Sequence, residues 1–249
     1  MTASLKETIA RSKAPSFGTW ISSSSLVHLD ALRGLGFDWF MIDTEHSHVN
    51  PETLAAMVAL VGSGRPAPLI RVGDVNPYLI KQALDSGAQG ILAPLVNSEA
   101  QARAAVAYAK YPPDGVRGVA AAAASRYGLD LPRYLRHANA DTLVGVQIET
   151  REGLANVDAI AATKGVDLLF VGPQDLTLNL GFVDERTHPK VLEAMSRVVR
   201  SCEGHGKIAG TLVVSREEKQ MAIDLGFRFV ALASDVRFVI EGAHHFLAK

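Results

Sequence analysis

The side chains best suited to chemistry fall where short apolar runs end. Asp43-Thr44-Glu45-His46 follows one run, Arg71 closes another, Gln147-Ile148-Glu149 ends a third and Gly172-Pro173-Gln174-Asp175 follows a fourth. The third run carries the clearest pattern. Side chains along a strand alternate faces, so Val144, Val146 and Ile148 share one face while Gln147 and Glu149 share the other. The first face suits packing under helices; the second would look into an interior. A carboxylate there must be paired or bind a metal, because burying it alone is costly. Asp175 follows Glu149 by 175 − 149 = 26 residues, one strand-and-helix step along the chain. Two carboxylates from adjacent strands, without histidine or cysteine, suit a hard cation such as Mg²⁺ or Mn²⁺ and leave positions for water and substrate oxygens. Leu69 and Arg71 share a face by the same parity.

Plainer roles stand beside these. Glu149 could be a surface or ion-paired residue, His46 a capping or core histidine, and Arg71 the partner of Glu149 or Asp175. His48, His137, His188, His205, His244 and His245 read as structural or solvent-facing, and Cys202 as helix packing. The lysines stand at 6, 13, 81, 110, 164, 190, 207, 219 and 249, and none closes a strand, which argues against a Schiff-base mechanism. The segments after the last two strands lack the glycine-rich runs that often hold phosphate, which argues against a phosphorylated substrate.

Such residues need a scaffold that brings strand ends together. Eight β-rich runs are legible: Phe17–Ile21, Asp38–Asp43, Pro68–Val72, Gly90–Pro94, Thr142–Glu149, Asp167–Val171, Lys207–Leu212 and Arg228–Ala233. Between them Asn50-Pro51 and Asn76-Pro77 open helices, and Ser98 with Gln101 and Ser215 with Glu218 form capping boxes. Strand–helix alternation with short links predicts parallel βαβ units, and eight of them predict a closed (β/α)8 barrel over 1–249, one domain. Its active site would lie at the strand C-terminal ends, near Trp20, Arg71, Pro94, Leu212 and Ser234-Asp235 as well as the residues above. Val116–Val119 could pass for a ninth strand. Pro112, Pro113 and Gly115 assign it instead to an insertion over about 111–131, expected on the rim where it could cover the site. The tail Asp235–Lys249 reads as a last helix with Phe238, Val239, Gly242 and Phe246 on one side.

Composition narrows the function. A net charge of −1 gives no basic field for nucleic acid or an anionic membrane. One cysteine excludes an internal disulfide and a cysteine-based zinc site, and fits a reducing compartment. The segment Met1 to Pro15 lacks the apolar stretch of a secretory signal, and no run approaches a membrane span. A cytoplasmic protein is expected.

Six segments occur together and in order: Phe37-Asp38-Trp39-Phe40-Met41-Ile42-Asp43-Thr44-Glu45-His46, Ile70-Arg71-Val72, Lys81-Gln82-Ala83-Leu84-Asp85-Ser86-Gly87-Ala88, Gly115-Val116-Arg117-Gly118, Val146-Gln147-Ile148-Glu149-Thr150 and Val171-Gly172-Pro173-Gln174-Asp175-Leu176. In this the chain resembles the class II pyruvate aldolases, which include 4-hydroxy-2-oxoheptanedioate aldolase and 2-dehydro-3-deoxyglucarate aldolase. The resemblance covers nearly the whole chain. It implies that Glu149 and Asp175 hold a divalent metal (Mg²⁺ or Mn²⁺, with Co²⁺ a further choice). Gln147 and Trp20, Gly172, Pro173 and Leu212 would line the substrate, backbone N–H groups around Gln174 and Asp175 would receive the 2-oxo acid carboxylate, and Arg71 would stabilise developing negative charge. His46 would be the general base, acting through a metal-bound water, with Asp85 raising its basicity. It also implies a homo-oligomer, a hexamer, whose C-terminal helix packs on a neighbour. Three departures stand out: Thr44 where glycine is usual, Gln174 for a small residue, and Ala122-Ala123-Ala124-Ser125-Arg126-Tyr127 for an arginine- and tryptophan-bearing loop expected to face the aldehyde. The expected reaction is reversible cleavage of a 4-hydroxy-2-oxo acid to pyruvate, or a close 2-oxo acid, and an aldehyde. The alternatives are an oxaloacetate-type decarboxylase on the same site, a coenzyme-A ester lyase of the citrate lyase type, and a non-catalytic binding barrel.

Overall fold

The computed structural model describes residues 4–12 and 14–248; Met1 to Ala3, Lys13 and Lys249, all drawn on above, lie outside the described residues. Eight strands form a closed barrel in sequence order: β1 (Ser16–Ile21), β2 (Trp39–Asp43), β3 (Ala67–Arg71), β4 (Gly90–Ala93), β5 (Leu143–Ile148), β6 (Leu168–Val171), β7 (Ile208–Val213) and β8 (Phe229–Ser234). Every neighbouring pair is parallel, and β8 closes on β1. The eight expected strands are these eight, with ends that differ by at most one residue. Glu149 therefore sits one residue past β5 rather than within it.

Among the described residues there are twelve helices: α1 (Leu5–Arg11), α2 (Leu26–Arg33), α3 (Pro51–Val61), α4 (Pro77–Asp85), α5 (Glu99–Ala109), α6 (Leu131–Asp141), α7 (Arg151–Ala155), α8 (Val157–Ala162), α9 (Pro173–Asn179), α10 (Pro189–Gly204), α11 (Arg216–Asp224) and α12 (Asp235–Leu247). The expected caps are made. Asn50 accepts from Thr53 N–H at 2.9 Å and Asn76 from Tyr78 N–H at 2.8 Å. In the two capping boxes the return bond goes one residue further back than the pattern requires: Asn97 N–H donates to Gln101 and Val214 N–H to Glu218.

Alternation divides the strands into two cores. Outward side chains such as Val144, Val146 and Ile148 pack under the helices, and inward ones fill the barrel with Trp39, Met41, Leu69, Leu92, Leu143, Leu168, Phe170 and Phe229. Trp39 lies flat on Phe229, with ring centroids 3.8 Å apart, and its indole occupies the space beside Gly18, where a Cβ would stand 2.1 Å from the ring. Helix α1 closes the strand-start end, burying Leu5 and Ile9 against this inner core. Lys6 pairs there with Asp167 at 2.8 Å.

The insertion between β4 and β5 forms no ninth strand, but it does not sit on the rim over the strand ends. A helix after each strand returns the chain to the strand-start end, so whatever follows α5 begins there. Lys110 Nζ donates to the carbonyls of Asn139 and Thr142 beside the start of β5, and Val116 N–H donates to Ala107 O. A short 3-10 turn at Ala123–Ser125 packs against the end of α4. In α12, Phe238 stacks on Phe37, while Val239, Phe246 and Leu247 are exposed. No described helix is long and apolar enough to cross a membrane.

The Trp39–Phe229 stack fills the centre of the inner core. Replacing Phe229 with alanine should cost about 3–5 kcal/mol of unfolding free energy. Urea denaturation of the variant checks this, and a loss below about 1 kcal/mol would show that the interior collapses around the gap.

Candidate active site

The ends of β1, β2, β3, β5, β6, β7 and β8 open on one cavity of about 370 Å³, lined by Trp20, Asp43, His46, Arg71, Gln147, Gly172, Pro173, Gln174, Asp175 and Leu212 among others. Barrel closure explains the convergence. The last inward position of each strand meets neither a layer above it nor a helix outside it, so a polar side chain can stand there at the edge of the apolar interior.

Arg71 organises one wall. It is buried, and its Nε and Nη2 donate to the two carboxylate oxygens of Asp43 at 2.9 and 2.6 Å. Its Nη1 lies 3.0 Å from Glu45 Oε2 as an ion pair, without hydrogen-bond alignment. The guanidinium also sits 5.1 Å from the Trp20 ring centre, a cation–π contact. Asp43 extends the inward series Trp39, Met41, Asp43 on β2, and pairs across the ladder with Arg71 on β3. The plainer expectation for Arg71, pairing with Glu149 or Asp175, is therefore met by different carboxylates. Thr44, in the place of the usual glycine, ties the loop down: its hydroxyl donates to Arg71 O at 2.7 Å.

Glu149 lies behind the cavity wall. Its Oε1 accepts from Leu95 N–H at 2.8 Å and its Oε2 from the Gln147 amide at 2.7 Å. Leu95 holds a left-handed φ of 49° as it makes this bond. A Cβ on Gly172 would stand 2.4 Å from Glu149 Oε2, so any side chain there would displace that carboxylate. Burial pushes the Glu149 carboxyl up to about 7; the Leu95 N–H opposes this, while nearby Asp175 and Glu45 add to it. Glu45 is raised too, first by burial and against the pull of Arg71.

This end of the cavity gathers the carboxylates of Asp43, Glu45, Glu149 and Asp175 around the single guanidinium of Arg71, an excess of negative charge at the edge of a low-dielectric interior. Gln147 Oε1 is buried without a hydrogen-bond partner. Among the described residues no three His, Cys, Asp or Glu side chains are grouped to hold a metal ion by themselves. The arrangement fits a hard divalent cation taken by Glu149 and Asp175, its remaining positions filled by small-molecule oxygens.

His46 lines the mouth with its side chain 69% exposed, and its backbone N–H donates to Asp43 Oδ1 at 3.3 Å. It is neither a core nor a capping histidine. Asp85 does not join it within the chain. It ends α4, roughly 12 Å of helix from that helix's start beside the strand ends, and pairs with Arg117 at 2.6 Å. Arg117 is itself held between Tyr111 and Tyr134. The segment 122–127, expected to face the aldehyde, lies at that same far end.

Sequence reasoning named Asp43 at a strand end without giving it a role, although parity on β2 marks it. It also missed Arg186 and Arg237, which line the opposite wall with Ser22, Val214 and Ser234. Arg186 comes from the irregular segment between α9 and α10, where no periodicity points to it. No described lysine lines the cavity; burial lowers Lys110 to about 8, but at the opposite end of the barrel. His188 caps α10 and Cys202 is buried in it.

The family model described as HpcH/HpaI aldolase/citrate lyase matches residues 16–242. A 4-hydroxy-2-oxo-heptane-1,7-dioate aldolase of Salmonella dublin is 37% identical over 237 residues, 94% of this chain and 90% of that one. A crystal structure of an HpcH/HpaI aldolase/citrate lyase family protein from Burkholderia cenocepacia superposes with a TM-score of 0.93 at 34% identity, covering 98% of this chain and 97% of its own. A citrate synthase, SbnG, superposes at 0.88 with 26% identity, covering 98% and 96%. Matches of this extent, on a barrel whose charged side chains gather at one end, leave one conclusion: the chain belongs to the HpcH/HpaI aldolase/citrate lyase family.

Proposed function

We propose that this enzyme is a divalent-metal-dependent aldolase that reversibly cleaves a 4-hydroxy-2-oxo acid to pyruvate, or a close 2-oxo acid, and an aldehyde. The observation that carries it is the clamped guanidinium of Arg71, facing the same cavity as Asp175, Gln147 and His46. The family is generally divalent-metal dependent. A cation bound by Glu149 and Asp175, Mg²⁺ or Mn²⁺ or else Co²⁺, would supply a Lewis acid for the 2-oxo oxygen.

The chain's own groups account for the rest. Backbone N–H groups of Gln174 and Asp175 in the first turn of α9 lack helical partners and receive the 2-oxo acid carboxylate. Gln147, with its free carbonyl oxygen, orients the acid. His46 at the mouth takes the proton from the C4 hydroxyl as the C3–C4 bond breaks, its exposed imidazole placed to act as general base. The bond's electron pair stays on the three-carbon fragment as an enolate. Its oxygen meets the Arg71 N–H groups not given to Asp43, positive charge fixed in place beforehand. Protonation at C3 then releases pyruvate. The exposed apolar residues of α12 support assembly with further copies, a hexamer being the arrangement expected.

Pyruvate release from 4-hydroxy-2-oxoheptanedioate, followed with lactate dehydrogenase, tests the reading. Activity should vanish after EDTA, return with Mg²⁺, Mn²⁺ or Co²⁺, and fall by about 10³-fold or more in Glu149→Ala. Cleavage that survives EDTA would sink the mechanism. Asp43→Asn loosens Arg71 without emptying its space and should lower kcat by about 10- to 100-fold while pyruvate still binds.

The pH dependence follows from Glu149. Cation binding needs the ionised carboxylate, so affinity in the EDTA-stripped protein should rise with pH up to about 7 and level off above it. The folded-state pKa stands above the usual 4.5, so the Glu149 proton stabilises the cation-free fold fully below about pH 4.5, and that contribution is lost as pH rises through about 7. Calorimetric titration of Mn²⁺ between about pH 5.5 and 7.5 checks the first statement, and a flat affinity would contradict it.

A further inference from the structure

The cavity of about 370 Å³ has two ends that differ in chemistry. One end carries Asp175, Gln147 and Arg71 from β6, β5 and β3. The other is built by β7, β8 and the segment before α10: an apolar stretch of Leu212, Val214 and Ala233 leads to the guanidinium of Arg186. In a barrel closed in sequence order β5 and β1 lie opposite each other, so a substrate held at β5 and β6 extends its far end toward β7, β8 and β1.

Arg186 is fixed there. Its Nη2 donates to Leu212 O at 3.0 Å and lies 3.3 Å from Glu218 Oε2. Glu218 is held in turn by the Val214 N–H at 2.9 Å and faces a separate small recess rather than the main cavity. Both contacts use Nη2. Nε is buried with no partner, and the side chain lines both the main cavity and that recess. Arg237, the other cation of this wall, is half-exposed and paired with Glu241 one helical turn on, so it is the looser of the two.

We infer that Arg186 is a specificity-determining residue: it receives an anionic group, a carboxylate, at the far end of the aldehyde portion, across a short aliphatic spacer lying on Leu212, Val214 and Ala233. The assignment rests on the aldolase reading of the same cavity and names the class of aldehyde it takes. A guanidinium with an unpartnered Nε–H suits a carboxylate as a charge-assisted acceptor, and an orphaned donor near an apolar wall penalises a substrate that ends in a methyl group.

The test compares 4-hydroxy-2-oxoheptanedioate with 4-hydroxy-2-oxoheptanoate, equal in length and lacking the terminal carboxylate. Wild-type kcat/KM should favour the diacid, chiefly through KM. In Arg186→Gln the diacid-to-monoacid ratio should fall by about 30-fold. In Arg186→Lys, which keeps the charge and loses the Nε–H, it should fall by about 5-fold. A wild-type enzyme indifferent to the terminal carboxylate, a variant that slows both substrates equally, or an unchanged ratio in either variant overturns the assignment. Calorimetric binding of succinate, which needs no turnover, separates the two readings. Weakening by about tenfold in Arg186→Gln, in a protein that cleaves neither substrate, would sink the aldolase and keep the anion site. Unchanged succinate binding in a working aldolase would sink the role of Arg186 alone.

Discussion

A closed barrel has an inward face that must be filled with side chains and one end where the filling stops. Every feature of the site follows from that constraint. Below the last layer the inward residues are Trp39, Met41, Leu69, Leu143, Leu168, Phe170 and Phe229, packed without polar relief. At the layer where packing ends they become Asp43, Arg71 and Gln147, with Glu149 just beyond. These groups have lost bulk water without gaining an apolar environment that tolerates them, so they bind one another. The bidentate Asp43–Arg71 pair is the firmest of these bonds, and it fixes the direction of the one central cation.

The opposite end of the barrel carries a different task. Helix α1, the buried Lys110, and Arg117 between two tyrosines form a floor whose polar groups are tied up in carbonyls, carboxylate and aromatic rings. Lys110 has the lowered pKa that a nucleophilic amine would need, yet two backbone carbonyls hold it away from any cavity. A perturbed pKa there reports burial, and its place in the barrel decides what it means.

Much of this was legible in the sequence because it is periodic. Alternation along β5 separated Val144, Val146 and Ile148 from Gln147 before any coordinates, and asparagine–proline pairs marked the starts of α3 and α4. What escaped is what lacks a period. Arg186 reaches the cavity from an irregular segment, and its approach depends on where Leu212 and Glu218 come to rest. Within the single chain, Asp85 and the segment 122–127 stand at the end of the barrel away from the cavity. Family likeness carries residue identity but not the end of the barrel on which a residue stands, and the length of α4 and α5 decides that within one chain.

The chain has two tryptophans. Trp39 lies under Phe229 in the sealed interior, and Trp20 lies between Phe170 and the Arg71 guanidinium at the wall of the cavity. Indole emission depends on nearby charge, so the two rings divide the protein's ultraviolet signal into a constant background and a channel that senses Arg71. The fluorescence of the unlabelled protein is thus an optical gauge of its own cavity wall, present without dye or engineered probe.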